Sequence, residues 1–348
     1  KLLETITFFG VRLSEPGEFT KRAFLNGKMD LVQAESVSRL IESRSIEAAN
    51  INSKILSGSL SKKLNTIRES LAGVLAELEF EFDISENESL IPNLITKSHK
   101  VINNNILACE NLIDSYASGL LFNRGARVVI YGNPNVGKST LLNALLEKDR
   151  AITSEVPGTT RDTVDADIVL GGVPVTLIDT AGIRNATSGV ESAGIKRSYD
   201  EIKHADLLIN VVTGEDGAAK NVQTKKTVIV FNKIDLVAPS EKLADAIPVS
   251  ALLGDGVAHL KSVIKNKLIS KNSQASDTTL TTMRQKIAIT SCKNSLGESL
   301  KYLNKDAPEL EIVAYELRDS INHIDTLMGK TTVDDILNKV FSGFCVGK

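Results

Sequence analysis

The chain has 348 residues, a length that predicts two or three domains. At 42% hydrophobic and 24% charged it has an ordinary globular composition, which excludes wholesale disorder and a collagen-like structure. Its 41 basic residues stand against 43 acidic ones, a net charge of −2 that excludes a strongly basic nucleic-acid wrapper, so any RNA contact must come from a local patch or a partner. With no Trp and only 4% aromatic residues, neither a carbohydrate cleft nor a broad base-stacking platform is expected. Cys109, Cys292 and Cys345 are far apart and form no C-x-x-C pair, which argues for a reducing compartment and against a disulfide scaffold or zinc site. No apolar run approaches the roughly 18 residues needed to span a bilayer. Lys1 leads into Ile6-Thr7-Phe8-Phe9 with no signal-peptide layout. The expectation is a cytoplasmic protein, with no membrane contact, whose true N-terminus is missing.

In chain order, the stretch to about Asn26 mixes short β-like runs with a turn at Glu15-Pro16-Gly17-Glu18, and it is too short to hold a core. From Met29 to Asn123 the pattern is helical. Leu60, Leu64, Ile67, Leu71, Val74 and Leu78 step by four and three along one helical face, and Leu31, Ala34, Val37 and Ile41 do the same one helix earlier. Pro92 and the polar residues before it mark a break. From Ala126 to about Ile269, short apolar runs alternate with helical segments. Val128–Tyr131, Val175–Ile178, Leu207–Val212 and Val228–Phe231 read as buried parallel strands of a doubly wound α/β domain. A Ser/Thr/Asn-rich linker is expected over 270–282. Helical texture then resumes to the C-terminus, with Ile312, Tyr315, Ile321 and Ile324 among its apolar positions. The predicted fold class is α/β plus all-α, a P-loop domain with a mixed, mostly parallel sheet inserted into a discontinuous helical domain.

The chemistry concentrates in the α/β part. Gly132-Asn133-Pro134-Asn135-Val136-Gly137-Lys138-Ser139 is a G-x-x-x-x-G-K-S loop between an apolar strand and a helix starting near Thr140. Its glycines let backbone N–H groups curl toward phosphates, Lys138 would neutralise the β/γ charge, and the Ser139 hydroxyl would ligate Mg²⁺. Asp179-Thr180-Ala181-Gly182 follows directly on a strand. There Asp179 is placed to hold Mg²⁺ through water, and the Gly182 N–H can reach a γ-phosphate. Asn232-Lys233-Ile234-Asp235 ends the next strand: its carboxylate can accept both N–H donors of a guanine edge, a donor pair that adenine lacks. Asn232 would buttress the loop, Lys233 would cover the ring, and Ser250-Ala251 fits a backbone contact to the guanine carbonyl. Four such elements in order point to a guanine nucleotide.

This ordered set resembles the translation-factor-related GTPases, and in particular the MnmE family of tRNA-modification GTPases. Ser154-Glu155-Val156-Pro157-Gly158-Thr159-Thr160-Arg161-Asp162 is similar to that family's switch I motif. Pro16 to Asn26 matches the end of its folate-binding domain, and Phe344-Cys345-Val346-Gly347-Lys348 resembles its F-C-I-G-K terminus. The resemblance runs along nearly the whole chain. It implies a remnant of the N-terminal folate-binding domain at 1–27, a helical domain in two parts at 28–124 and 271–348, and a G domain at 125–270. It also implies GTP as substrate, Mg²⁺ held by Ser139, Thr160 and Asp179, and a role in wobble-uridine modification of tRNA. The implied partners are a second copy of the chain, the flavin-dependent protein MnmG and tRNA.

Ile183 stands where Ras-like proteins carry the Gln that orients water, and no Arg is evidently placed as a finger, although Arg161 and Arg184 lie near the switches. The resemblance implies K⁺ in the charge-compensating role, held by Asn135 and by oxygens of Ser154, Val156 and Thr159. G domains would then pair across their nucleotides. Val190-Glu191-Ser192-Ala193-Gly194-Ile195 matches the family's V-E-x-x-G-I context, which makes Glu191 the expected water-orienting catalytic residue; without that match it reads as a solvated charge. Lys28 and Lys348 match family positions at the folate site, where 5-formyl- or methylene-tetrahydrofolate is expected of the full-length protein. Cys345 reads either as an incidental thiol or, through the family tail, as a participant in tRNA modification. The run Glu77, Glu79, Glu81, Asp83, Glu86, Glu88 reads as a solvated helix end in preference to a cation site. His99, His204, His259 and His323 have no ligand spacing. The alternative function is a ribosome-assembly GTPase like Era and Der, but the flanks carry no KH-type G-x-x-G clamp.

Overall fold

Helices dominate both ends of the chain and a sheet occupies the middle. The computed structural model describes residues 1–84, 91–146, 165–180, 200–214, 226–238, 243, 245–269, 278–331, 337, 340, 341 and 344. In chain order its elements are α1 (Leu2–Phe8), α2 (Glu18–Leu25), α3 (Leu31–Ile41), α4 (Ile46–Leu56), α5 (Ser59–Ile84), α6 (Ile91–Arg124), β1 (Ala126–Gly132), α7 (Lys138–Leu146), β2 (Asp165–Leu170), β3 (Val173–Asp179), β4 (Leu207–Val212), β5 (Thr227–Asn232), β6 (Ile247–Val249), α8 (Val257–Leu268), α9 (Met283–Leu303) and α10 (Leu310–Met328). One unit comprises Lys1–Ser43, Ala49–Leu120 and Ala275–Lys348; the other comprises Arg44–Ala48 and Leu121–Gln274.

In the first unit, helix starts are written locally. The Asp30 carboxylate accepts from the Gln33 N–H at 2.9 Å, and the Gln33 side chain accepts from the Asp30 N–H at 3.0 Å. Thr282 and Gln285 repeat this box at the start of α9. Each box satisfies two N–H groups that the first turn leaves without helical partners. Along α5 the aliphatic face from Leu60 to Leu78 is buried and packs against α3 and α10. Each such side chain contributes about 1.5–3 kcal/mol through burial. Charged groups hold the same helices. Arg68 of α5 makes a two-pronged ion pair with Asp325 of α10 at 2.6 and 3.0 Å. Arg284 of α9 reaches Glu35 of α3 at 2.5 Å and donates to the Leu327 carbonyl at 3.0 Å.

Several local expectations are corrected here. The first 27 residues carry two helices, α1 and α2, where β-like runs are expected; β propensity is a weak prior that local i→i−4 bonding overrides. Residues 279–282 are buried, not linker-like, because the Leu280 N–H donates to Ser115 Oγ at 3.0 Å and Thr282 caps α9. Ile41 and Tyr315 lie on predicted apolar faces yet are 52% and 64% exposed, because Ile41 ends its helix and Tyr315 points away from the buried stripe of α10. The acidic run, by contrast, keeps its solvated reading at Glu77 and Glu79, whose side chains are 43% and 48% exposed and pair with Lys97 and Arg318.

In the second unit the strands form one sheet in the order β2-β3-β1-β4-β5-β6. All neighbours are parallel except β2, which pairs antiparallel with β3 at one edge. β4 is buried along its whole length and β3 nearly so, as strands covered on both faces must be. The register sets Ile130 beside Asp179 and Asn232 beside Val249, so the ends of β1, β3, β5 and β6 lie at the same edge. In open α/β sheets, ligands bind outside the carboxyl ends of the strands.

Candidate functional site

Residues 132–139 leave the end of β1 and turn into α7. Two glycines make this path possible. A Cβ on Gly132 would lie 2.3 Å from the Val211 carbonyl oxygen of β4, and one on Gly137, where φ is +90°, would lie 2.4 Å from Asn232 Nδ2. No L side chain fits either place. Asn135 and Lys233 also adopt the left-handed region, at φ of 64° and 65°. Such strain costs about 1–3 kcal/mol per residue and persists where the surroundings over-determine it.

Lys138 is 7% exposed, and its Nζ donates to the Asn133 carbonyl at 2.7 Å, so its charge is held over the loop. Ser139 Oγ donates to Asp179 Oδ2 at 2.6 Å, and Asp179, at the end of β3, is 3% exposed. A hydroxyl and a buried carboxylate in contact are hard oxygen donors, a pair that fits Mg²⁺. Thr180 Oγ1 donates to the Ile130 carbonyl at 3.1 Å, tying the end of β3 to β1.

Asn232 links the two ends of the site. Its Nδ2 donates to the Val136 carbonyl at 2.8 Å, and its Oδ1 accepts from the Ala251 N–H at 3.0 Å. Beyond it, Ser250 Oγ donates to Asp235 Oδ1 at 2.6 Å and accepts from the Leu253 N–H at 3.2 Å. Ser250 is fully buried while Asp235 is exposed, so one carboxylate oxygen is anchored and the carboxylate faces solvent. Lys233 and Ile234 lie in the turn between them.

Hydrogen bonds thus tie Val136, Lys138, Ser139, Asp179, Thr180, Asn232 and Ala251 around the ends of β1, β3 and β5, with Asn135 and Gly137 in the same loop, Lys233, Ile234, Asp235 and Ser250 adjoining, and Thr140 exposed on the first turn of α7. Lys28 is exposed just beyond α2 in the other unit. Ser154, Glu155, Val156, Pro157, Gly158, Thr159, Thr160, Ala181, Gly182, Glu191, Cys345 and Lys348 lie outside the described residues. Two contributions escape sequence reasoning, the Asn133 carbonyl that holds Lys138 and the Val211 carbonyl that excludes a side chain at Gly132. Both are backbone groups, which leave no residue-type signal.

The family model for the MnmE helical domain matches residues 31–345. The chain belongs to the MnmE family. The tRNA modification GTPase MnmE of Pseudothermotoga lettingae is 37% identical across the whole of this chain and 80% of its own length. Those of Thermotoga maritima and Moorella thermoacetica are 37% and 36% identical, with 80% and 79% of their lengths covered. Among solved structures, the G domain of the T. maritima FeoB iron transporter is 24% identical, covering 43% of this chain and 99% of its own, with a TM-score of 0.30. The SelB elongation factor of Methanococcus maripaludis is 21% identical over 42% of this chain and 34% of its own, with a TM-score of 0.29. The MnmE family match agrees with the helical and α/β make-up described above. Among the described residues, no helix is long and apolar enough to cross a membrane.

Proposed function

We propose that this MnmE-family chain binds and hydrolyses GTP to drive modification of the tRNA wobble uridine. One observation supports the reading above all others: Asn232 joins the phosphate loop to the loop carrying Ser250 and Ala251, with Ser139–Asp179 on one side and Asp235 on the other. In this reading the N–H groups around Gly137 and the Lys138 ammonium receive the β and γ phosphates. Ser139, Asp179 and Thr160 hold Mg²⁺, which when bound neutralises charge on the phosphate oxygens. Asp235 accepts the two N–H donors of guanine, and Lys233 covers the ring. Glu191 orients the water that attacks the γ-phosphate in line. Asn135 with oxygens of Ser154, Val156 and Thr159 would hold K⁺, which when bound would compensate charge on the phosphates, and Glu155, Pro157, Gly158, Ala181 and Gly182 complete the switch segments. With K⁺ held there, the switch segments would support pairing of two G domains. In the cytoplasm the homodimer works with MnmG on tRNA, and in the full-length protein Lys28 and Lys348 would hold a tetrahydrofolate derivative, the source of one-carbon chemistry in which Cys345 would take part.

The test is steady-state GTP turnover in K⁺ against Na⁺, with Glu191→Ala beside the unmodified chain and ATP as a competitor. Faster turnover in K⁺, retained GTP binding but lost turnover in Glu191→Ala, and no inhibition by ATP are expected. Equal rates in the two salts would overturn the K⁺ assignment. An active Glu191→Ala would overturn the catalytic assignment, and inhibition by ATP would overturn the guanine one.

A further inference from the structure

Residues 44–48 lie far ahead of the inserted segment in sequence, yet they belong to the α/β unit. Arg44 stands where α6 ends and β1 begins. Its Nη2 donates to the carbonyl of Arg124, the last residue of α6, at 2.8 Å, and its Nη1 reaches Asp167 Oδ2 of β2 at 3.4 Å. Asp167 is also held from within the hairpin: its Oδ1 accepts from Thr176 Oγ1 of β3, its cross-strand partner, at 2.6 Å. The approach is close. A Cβ on Gly125 would lie 2.7 Å from Arg44 Nη2 and 2.9 Å from the Pro174 carbonyl oxygen. Glu47 covers the turn between β2 and β3, where a Cβ on Gly172 would lie 2.4 Å from Glu47 Cγ. The junction at the other end of this tie is itself fixed. Arg124 Nη2 donates to Asp206 Oδ1 at 2.6 Å, and Asp206 Oδ2 accepts from the Arg127 N–H at 2.9 Å.

With GTP hydrolysis read as above, we propose that Arg44 is a positioning residue for that reaction, supplied from outside the nucleotide-binding stretch of the sequence. The hairpin it grips leads to the metal-holding residues at both of its strands. Along β3, Thr176 lies three residues before Asp179, about 10 Å of strand. Asp165, which opens β2 opposite Ile178, follows Thr160 by five residues in sequence. Arg44 ties this strand pair to the α6–β1 junction. An exposed ion pair by itself contributes little, so the hold rests on the bond to the Arg124 carbonyl and on the close packing around Gly125 and Gly172. A hairpin released from the tie carries Asp179 and the segment leading to Thr160 out of register with the phosphates. Lys138, Asn232 and Asp235 lie on other strand ends and keep their places. Misplacement of this kind slows the chemical step and leaves nucleotide affinity alone.

The test compares Arg44→Ala, Arg44→Lys and Asp167→Ala with the unmodified chain in steady-state GTP turnover, GDP titration, urea unfolding and amide hydrogen exchange. Arg44→Ala should lower kcat about three- to tenfold, with GDP affinity and the urea midpoint unchanged and with exchange across 165–178 several-fold faster. Arg44→Lys, which keeps the charge, should recover part of the turnover. Asp167→Ala should act in the same direction, and the double variant Arg44→Ala, Asp167→Ala should fall no further than Arg44→Ala alone. An unchanged kcat, or a fall in kcat matched by an equal fall in GDP affinity or by a lowered urea midpoint, would overturn the proposal. If the unmodified chain turns over no GTP, it is the hydrolysis reading that falls. Exchange then decides the tie by itself, and protection of 165–178 that is unchanged in Arg44→Ala would overturn it.

Discussion

Replacing Asn232 by alanine removes both hydrogen bonds that join the phosphate loop to the 250–251 loop. The side chain is 2% exposed, and its two partners, the Val136 carbonyl and the Ala251 N–H, belong to residues only 2% and 7% exposed. Water therefore has little access to replace the amide. A buried backbone group left without its partner costs about 1–3 kcal/mol. With two such groups, and some relaxation of the loops, the expected loss is about 2–4 kcal/mol. That loss divides between folding and ligand binding, since a loop that has lost its tie can relax when empty and must be re-ordered when filled. Calorimetric titration with GDP and urea unfolding of the nucleotide-free chain measure the two shares. Their sum should fall in this range, and each 1.4 kcal/mol assigned to binding weakens GDP tenfold. A combined loss below about 0.5 kcal/mol would refute the claim that Asn232 holds the site together.

Other perturbations test the packing. Gly119→Ala should destabilise the chain by about 1–3 kcal/mol in urea melts, because the added Cβ would sit 2.1 Å from the Leu280 carbonyl oxygen; that clash outweighs the roughly 1 kcal/mol gained in helix propensity, and a stabilised variant would contradict the close approach. Arg68→Ala should cost about 1–3 kcal/mol by chemical denaturation. It leaves the Asp325 carboxylate, whose side chain is 10% exposed, with Lys330 at 3.6 Å; the double replacement Arg68→Met, Asp325→Leu should recover most of the loss, and no recovery would count against an uncompensated charge. The two-pronged bond from Arg12, aided by the Glu15 N–H, holds the Glu18 carboxyl down at about 2. A lowered folded value contributes stability above the ordinary carboxyl range near ~4.3, lost as pH falls through about 2. Carboxyl NMR should find Glu18 titrating near the lower value and Arg12→Ala returning it toward ~4.3, whereas an ordinary midpoint in the unmodified chain would rule the bond out.

Features carried by contiguous residues were legible in the sequence. The glycine-lysine-serine loop, the Asn232–Asp235 segment, the strand cores and the buried face of α5 each follow from side-chain type at short spacing, since backbone geometry alone places such residues on one face or in one turn. What the tertiary structure decided were meetings between distant residues. Asn232 finds Val136 only because β5 and β1 both flank β4 in the sheet, and Ser250 finds Asp235 only because β6 pairs with β5. The antiparallel edge strand β2 and the buried 279–282 stretch depended on the same long-range pairing and packing. Local pattern sets what each segment can become, but a hydrogen bond between distant residues depends on distance in space, which only the sheet order and the helix packing determine.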